Sequence, residues 1–555
     1  MHEPAKGRRN AGNFPDETEM KPFVFRVISF EGGQLSLAAS TIPFMKKILA
    51  LCWLLSVSLI VYAQPKSGAI VYPPTAKGNV VDEYFGTRVA DPYRWLEDDN
   101  SAETKAWVVE QNKLTFGYLE KIPYREQIRK RITELYNYPR MSTPYRAGNY
   151  YFYTKNDGLQ PQSVYYYQQG LSGTPQVLID PNAMNAAGTT AVSMAGFSND
   201  RKYVAYNVSQ SGSDWQTMKV RDVAANKELP DQLDWVKFSG AAWYQNGFFY
   251  SGYDAPEKGK ELTAKSEFHK IYYHQLGDPQ SQDRVVWADY FHPQRYVGAQ
   301  TTEDEKFLIL YISEGTDGTE IWYMDLRTPR NGFKKVFEGF EYNYTVLDNE
   351  GENLLVFTNH HAKNYQVVLV DPKNPDVKNW KPVIAEKSEL LQNVNASAGK
   401  LFATYLKDAT SRVYQHDRKG TLEREIELPG VGTVSGFNGE KDDKVLFYAF
   451  TSFTTPSTIY QYDLATGASE IFKKPELKYN PDHFVTRQVF YNSKDGTRVP
   501  MFLIYKKGTK LNGKNPTLLY GYGGFNIPLT PSFSASRMAF IENGGIYAMA
   551  NLRGG

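Results

Sequence analysis

A chain of 555 residues exceeds what one ordinary hydrophobic core organises, so two or more domains are expected. Its 63 basic and 61 acidic residues nearly cancel, which removes the electrostatic case for a nucleic acid or an anionic membrane surface as partner. The single cysteine, Cys52, lies in an apolar amino-terminal run. Residues 64–555 therefore offer no disulfide, no thiolate nucleophile and no cysteine-ligated metal.

Met45-Lys46-Lys47 precedes the apolar run Ile48–Tyr62, and Val61-Tyr62-Ala63 closes it with a small-residue cleavage pattern. Residues 45–63 read as a secretory signal peptide, too short at the core for a comfortable membrane span. The expectation is a periplasmic or secreted protein with no stable membrane insertion after cleavage. Residues 1–44 then form an upstream extension. Beyond the signal, Ser101 is expected to cap a helix with Glu103 in its first turn, running towards Leu119. A second helix opens at Pro123 and places Ile128, Ile132 and Leu135 on one face. These two helices fill a 64–137 segment with no long partner nearby in sequence.

From Tyr138 the texture changes to short aromatic and β-branched runs separated by Gly, Asp, Asn and Pro. Seven strands ending in a polar residue recur: Val164–Gln168, Met218–Asp222, Ile271–Gln275, Ile321–Asp325, Val367–Asp371, Val413–Asp417 and Ile459–Asp463. Successive ends fall about 46 to 54 residues apart, the length of a four-stranded propeller blade. Hairpin pieces such as Phe197–Tyr206 and Thr302–Leu310 recur between them. A plain β-sandwich is not expected to keep such a period, so residues 138–479 are read as a seven-bladed β-propeller. With no cysteine pair available, ordinary packing must join the first and last blades.

After Lys478-Tyr479-Asn480-Pro481 the period stops. Thr486–Tyr491 and Val499–Tyr505 alternate as strands joined through Asp495-Gly496, a hairpin signal. Thr517–Tyr520 reads as a short buried strand. Ser534 or Ser536 caps a helix through Met538, Phe540 and Ile541 that ends at Gly544-Gly545, and Ile546–Ala550 makes a fourth strand. A hairpin followed by strand, helix and strand is how an α/β-hydrolase begins, so 480–555 is read as the amino-terminal, incomplete portion of such a domain.

Chemistry is sparse. Leu518-Leu519-Tyr520-Gly521-Tyr522-Gly523-Gly524-Phe525-Asn526 breaks from a strand into glycines carrying two aromatics. Such a loop lets backbone approach a ligand closely, and in α/β-hydrolases a Gly-rich loop after an early strand supplies part of the oxyanion hole. A flexible glycine turn with aromatics packed beneath it fits the residues as well. A dinucleotide loop does not, because Asn526 stands where the third glycine belongs. Gly-x-Ser precedes Ser198 and Ser469, but Asp200 and Ile471 follow where a nucleophile elbow needs glycine. His269, His274, His292, His360, His361 and His416 all fall within the repeats and read as ordinary surface or strand histidines. His360-His361, if on a strand, point to opposite faces, and no metal is assigned.

Leu518–Asn526, with Ser493-Lys494-Asp495-Gly496-Thr497 and Asn551-Leu552-Arg553-Gly554-Gly555, resembles the prolyl oligopeptidase family of serine peptidases. The likeness extends back to Tyr72 and takes in Asp91-Pro92-Tyr93-Arg94-Trp95. It implies a serine endopeptidase that cuts short proline-containing peptides on the carboxyl side of proline, as a monomer needing no metal or organic cofactor. It implies that the 64–137 segment packs on the hydrolase domain, and that the propeller channel admits peptides and excludes folded proteins. In the same resemblance Tyr522 supplies one oxyanion donor through its phenol, and Phe525 lines the pocket that receives proline. The sequence stops at Gly555, before the place where this family carries its nucleophilic serine. The chain as given is thus expected to be an inactive fragment without the Ser/Asp/His triad. Two alternatives stand beside this reading. One is an oligopeptidase of the same family with another primary specificity, such as cleavage after basic residues. The other is a non-catalytic secreted propeller that binds peptides or proteins.

Overall fold

The structure, a computed structural model, describes residues 70–261 and 264–554. The expected signal peptide at 45–63, the extension 1–44 and Cys52 lie outside the described residues. The chain forms two units, one ending at Leu119 and one beginning at Glu120.

In the first unit, Val81–Tyr84 and Thr87–Ala90 pair as a hairpin whose turn residues, Phe85 and Gly86, both have positive φ. The helix Ala102–Leu119 follows, and Ser101 Oγ accepts from the Thr104 amide at 3.1 Å, as a cap should. The Asp-Pro-Tyr-Arg-Trp run turns out to be structural. Arg94 bridges Asp82 of the hairpin and Asp91, while the Trp95 indole donates to the Ala76 carbonyl at 3.0 Å and Trp107 to Thr75 Oγ1 at 3.0 Å. Among the described residues, no helix is long and apolar enough to cross a membrane.

The second unit holds a seven-bladed propeller and the opening of an α/β sheet. The blades span 140–179, 190–236, 242–288, 296–337, 344–384, 390–426 and 433–473. Each of the seven strands picked out by the repeat is the third strand of its blade. In the first blade the inner strand is split into Arg140–Met141 and Tyr145–Ala147, both paired to Tyr150–Asn156. Pro144 stands in the gap, where a residue without an N–H cannot continue the ladder. A single bridge, Val236 to Gly252, makes the second and third blades one continuous sheet.

Blades stack face to face, so a middle strand is covered on both sides and reads as unbroken hydrophobic sequence. In Phe307–Ser313, Leu308 and Leu310 pack with Phe249 and Ile271 of the third blade, whereas Phe307 and Ile309 pack with Val346 and Val356 of the fifth. Similar buried apolar clusters fill the other sequential seams. The seventh-to-first seam differs. There the edge of Tyr151 meets Phe447 at 6.1 Å, and Arg146 binds Asp442 and Asp443 and lies 3.2 Å from Glu440. Arg201 of the second blade reaches the same Glu440 at 2.5 Å. Charge, beyond the ordinary packing expected from the sequence, joins the first and last blades. A cavity of about 710 Å³ runs against the inner strands, lined by Gln300, Thr345, Asn393, Asn395, Ser435 and Asn438 among others.

The last sheet has the order Phe484–Asn492, Arg498–Lys506, Ile546–Ala550, Thr517–Tyr520, with only the final pair parallel. Ser534 caps the helix Ala535–Glu542. Met538 and Ile541 of that helix pack on Phe502, Ile504 and Met549 of the sheet, with Ala409 and Phe453 contributed by propeller turns. The helix Arg125–Tyr136, which begins two residues later than Pro123, adds Leu135 to this core. Its Arg131 grips Glu542 with Nε and Nη2 at 2.8 and 2.7 Å. The expectation that Thr517–Tyr520 is buried is overturned: all four residues are exposed, Leu519 by 67%. The strand lies at the sheet edge, where one side of its backbone and much of both faces have no neighbour among the described residues.

Candidate active site

The parallel pair fixes where the candidate site lies. Thr517–Tyr520 and Ile546–Ala550 end side by side, so the loops that leave them, 521–526 and 551–554, emerge together at the carboxyl edge of the sheet. Ligand loops of open α/β sheets gather at that edge. The two loops interlock without room for extra atoms at three of their glycines. A Cβ on Gly521 would lie 2.8 Å from Leu552 Cδ1, one on Gly523 2.8 Å from Leu552 Cβ, and one on Gly554 3.0 Å from the Gly523 carbonyl. Glycine at 523 and 554 is required twice over, since both have positive φ, 68° and 96°.

The Asn526 amide donates to the Gly554 carbonyl at 2.9 Å, and the Ile527 amide to that of Gly524 at 3.1 Å. Between these anchors Phe525 and Asn526 are held at φ 55° and 56°. A left-handed phenylalanine is costly, about 1–3 kcal/mol, and persists only where its surroundings enforce it. The enforced turn leaves Phe525 73% and Tyr522 48% exposed. The Tyr522 hydroxyl has no hydrogen bond among the described residues.

A third segment joins from sixty residues upstream. Arg553 donates to Asp495 at 2.5 Å, to Thr497 Oγ1 at 3.3 Å and to Ser493 Oγ at 3.1 Å. With that guanidinium beside it, and the Thr497 amide donating at 3.1 Å, the Asp495 carboxyl drops to about 2. Asn551 is held by its amide to the Pro500 carbonyl at 3.1 Å and by Nδ2 to the Leu529 carbonyl at 2.6 Å. The three motifs that carried the resemblance, dispersed in sequence, are one cluster in space.

The histidines correct the sequence reading in two ways. His360 and His361 lie in a turn after the strand Asn353–Thr358 rather than on a strand, and their rings come to 4.4 Å. His360 stacks on Tyr342 at 4.0 Å and hydrogen-bonds the Tyr344 hydroxyl at 2.6 Å. His269 is buried outside any strand, neither a surface nor a strand group, whereas His274 and His416 are buried strand residues on Lys270–Gln275 and Thr410–Asp417, within that reading. No described histidine hydrogen-bonds a serine, and no group of three His, Cys, Asp or Glu among the described residues is placed to hold a metal.

A family profile described as the prolyl oligopeptidase N-terminal beta-propeller domain matches residues 73–475. The chain belongs to the prolyl oligopeptidase family. It is 46% identical over 490 residues to the prolyl endopeptidase of Elizabethkingia meningoseptica, covering 88% of this chain and 69% of that protein. Prolyl oligopeptidase A of Amanita bisporigera is 31% identical over 534 residues, 87% of this chain and 69% of its own length. Among solved structures, a prolyl endopeptidase superposes with a TM-score of 0.81 at 36% identity, over 87% of this chain and 72% of the other. Prolyl oligopeptidase B of Galerina marginata, bound to a 35-residue hydrolysis and macrocyclisation substrate, gives 0.79 at 30% identity, over 87% and 72% of the two chains. In prolyl oligopeptidase terms, the propeller is present through all its blades, and the hydrolase domain is covered in part.

Proposed function

We propose that this chain carries the propeller and the oxyanion-binding loop of an exported serine endopeptidase that cleaves short peptides on the carboxyl side of proline. The observation that carries the reading is the braced turn 521–526, which presents Tyr522 and Phe525 at the carboxyl edge of a parallel strand pair. When a peptide carbonyl is attacked, its oxygen becomes an oxyanion, and a preorganised donor lowers the barrier only if it already points at that oxygen. A phenol with no hydrogen-bond partner among the described residues, on a loop braced by Leu552 and Gly554, suits that role. Phe525 offers a flat apolar face to a pyrrolidine ring. Cleavage after basic residues is less well served, because the carboxylate of this cluster, Asp495, is already neutralised by Arg553. The channel along the inner strands would pass an extended peptide and exclude a folded protein.

The 555 residues contain no Gly-x-Ser-x-Gly, and no described histidine is placed as a base beside a serine. The chain as given is therefore proposed to bind without hydrolysing. Incubated with a proline-containing chromogenic peptide it should give no turnover above blank. Turnover abolished by a serine-directed inhibitor would refute the inactivity.

In a chain completed with the family's serine-bearing segment, Tyr522→Phe removes one hydroxyl and almost no volume. It should lower kcat about a hundredfold or more with little change in KM, since the charge it meets exists only in the transition state. Phe525→Ala should instead raise KM for peptides with proline at the cleaved position. Near-native turnover in Tyr522→Phe would make Tyr522 a structural aromatic and leave the hole to backbone amides.

A further inference from the structure

The second and third blades share a buried titratable cluster that the peptidase reading does not use. His274, on the strand Lys270–Gln275, has no solvent exposure. Its Nδ1 lies 2.8 Å from Asp283 Oδ1 and its Nε2 3.0 Å from Asp231 Oδ1. Asp231 belongs to Lys227–Val236, the outer strand of the second blade, and Asp283 to the turn entering Arg284–Ala288, the outer strand of the third. The two carboxylates are themselves 1% and 3% exposed. One imidazole thus ties two blades together through two buried acids.

The surroundings leave little else to share the charge. Asp231 Oδ1 also accepts from the Gly277 amide at 2.6 Å, while its Oδ2 is buried with no partner among the described residues. Tyr250, on Gly247–Gly252, donates to Asp283 Oδ2 at 2.8 Å, and Gln280 Nε2 donates to the Tyr250 hydroxyl at 3.4 Å. Burial and then Asp283 push the Tyr250 phenol far up, so it stays a neutral donor. Phe248 covers the imidazole with its ring at 5.4 Å. Beyond Tyr250 comes Tyr272, stacked on it at 5.4 Å and bonded to Asp254.

A neutral imidazole has one N–H and one lone pair. Whichever nitrogen gave up its proton would set that lone pair against a carboxylate lone pair in a dry site, where an unpaired contact is expensive. Only the imidazolium donates to both aspartates. Its loss of a proton would raise the buried charge of the cluster from one negative to two.

We propose that His274 is a proton-dependent clasp of the second-to-third blade seam, holding Lys227–Val236 to the Leu276–Asp283 turn while charged and releasing it when neutral. Burial favours losing the proton, but the hydrogen bonds and charges of Asp283 and Asp231 outweigh it and hold the imidazolium above the ordinary histidine range. A histidine whose folded pKa is raised contributes stability that is complete below its unfolded value and lost as pH climbs through the folded one. Within that window the clasp opens about tenfold more readily per pH unit.

Hydrogen exchange of the full chain from pH 6 to pH 9, corrected for intrinsic exchange, reads this directly. Protection across 227–236 and 276–283 should fall about tenfold per unit above pH of roughly 6.5, while the sixth-to-seventh seam holds. Asp283→Asn keeps the shape: its oxygen can still accept from the Tyr250 hydroxyl while its NH2 donates to Nδ1 of a neutral imidazole, so it should fold normally and lose most of the slope. His274→Gln should lose it too, and if that variant fails to fold, Asp283→Asn decides. Flat protection in the unmodified chain, or an undiminished slope in Asp283→Asn, would overturn the proposal.

Discussion

Single residues in this chain are constrained by backbone geometry and proton demand as much as by side-chain size. Gly523 and Gly524 are neighbours with opposite tolerances. Gly523 has φ 68° and meets Leu552 at 2.8 Å, whereas a Cβ on Gly524 would touch nothing within 4 Å. Gly523→Ala should destabilise the loop by about 1–3 kcal/mol, and Gly524→Ala should be near neutral, as thermal denaturation would report. Equal effects would mean that Leu552 does not brace the turn.

His269 behaves in the reverse sense to His274, five residues away. Its Nε2–H donates to the Lys237 carbonyl at 3.1 Å and its Nδ1 accepts from the Val297 amide at 3.2 Å, an arrangement that only the neutral ring can make. Burial is the chief cause that lowers it to about 4. A depressed histidine contributes stability that is present above the unfolded value near 6.5 and lost as pH falls towards 4. Melting temperature should therefore drop over that range, and His269→Gln should drop less steeply; parallel curves would remove His269 from the account.

At the scale of elements, the contacts between helices and between blades are chemically unequal. The Arg131–Glu542 pair is two-pronged and mostly shielded, with side chains 30% and 20% exposed. Arg131→Met, which keeps the apolar stem, should cost about 1–3 kcal/mol by loosening the Arg125–Tyr136 helix from Ala535–Glu542. Chemical denaturation with a fluorescence readout would measure it. The seventh-to-first seam rests on Arg146 and Arg201 against Glu440, Asp442 and Asp443. High salt should lower hydrogen-exchange protection there more than at the sixth-to-seventh seam, which is filled by an apolar cluster and crossed by no ion pair among the described residues. An equal loss at both seams would show that charge is not what holds the first and last blades together.

For the whole molecule, the seven blades pack mainly on one another, and residues 64–555 contain no cysteine. Residues 138–479 expressed alone should give one cooperative β-type thermal transition, unchanged by reductant. Their cost is the exposure of Ala409 and Phe453, which otherwise sit in the core under the α/β sheet. Absence of any transition would mean that this shared core, rather than the blade seams, sustains the ring.

The sequence by itself determined the seven-fold repeat, the third strand of each blade, the hairpin at 493–497 and the strand–helix–strand that follows. These are written in periodicities and caps, which act over a few residues and need no distant partner. It also pointed to Tyr522 and Phe525. Only the tertiary structure decided that Thr517–Tyr520 is exposed, because burial of an apolar strand depends on neighbours rather than on its own composition. Only the tertiary structure brought Arg553 to Asp495, Leu552 under Gly523, Arg146 to Asp443, and two aspartates onto His274. Each of those contacts joins residues far apart in the chain or on separate strands, and no local pattern encodes the pairing of one charged or close-packed side chain with another that folding alone places beside it.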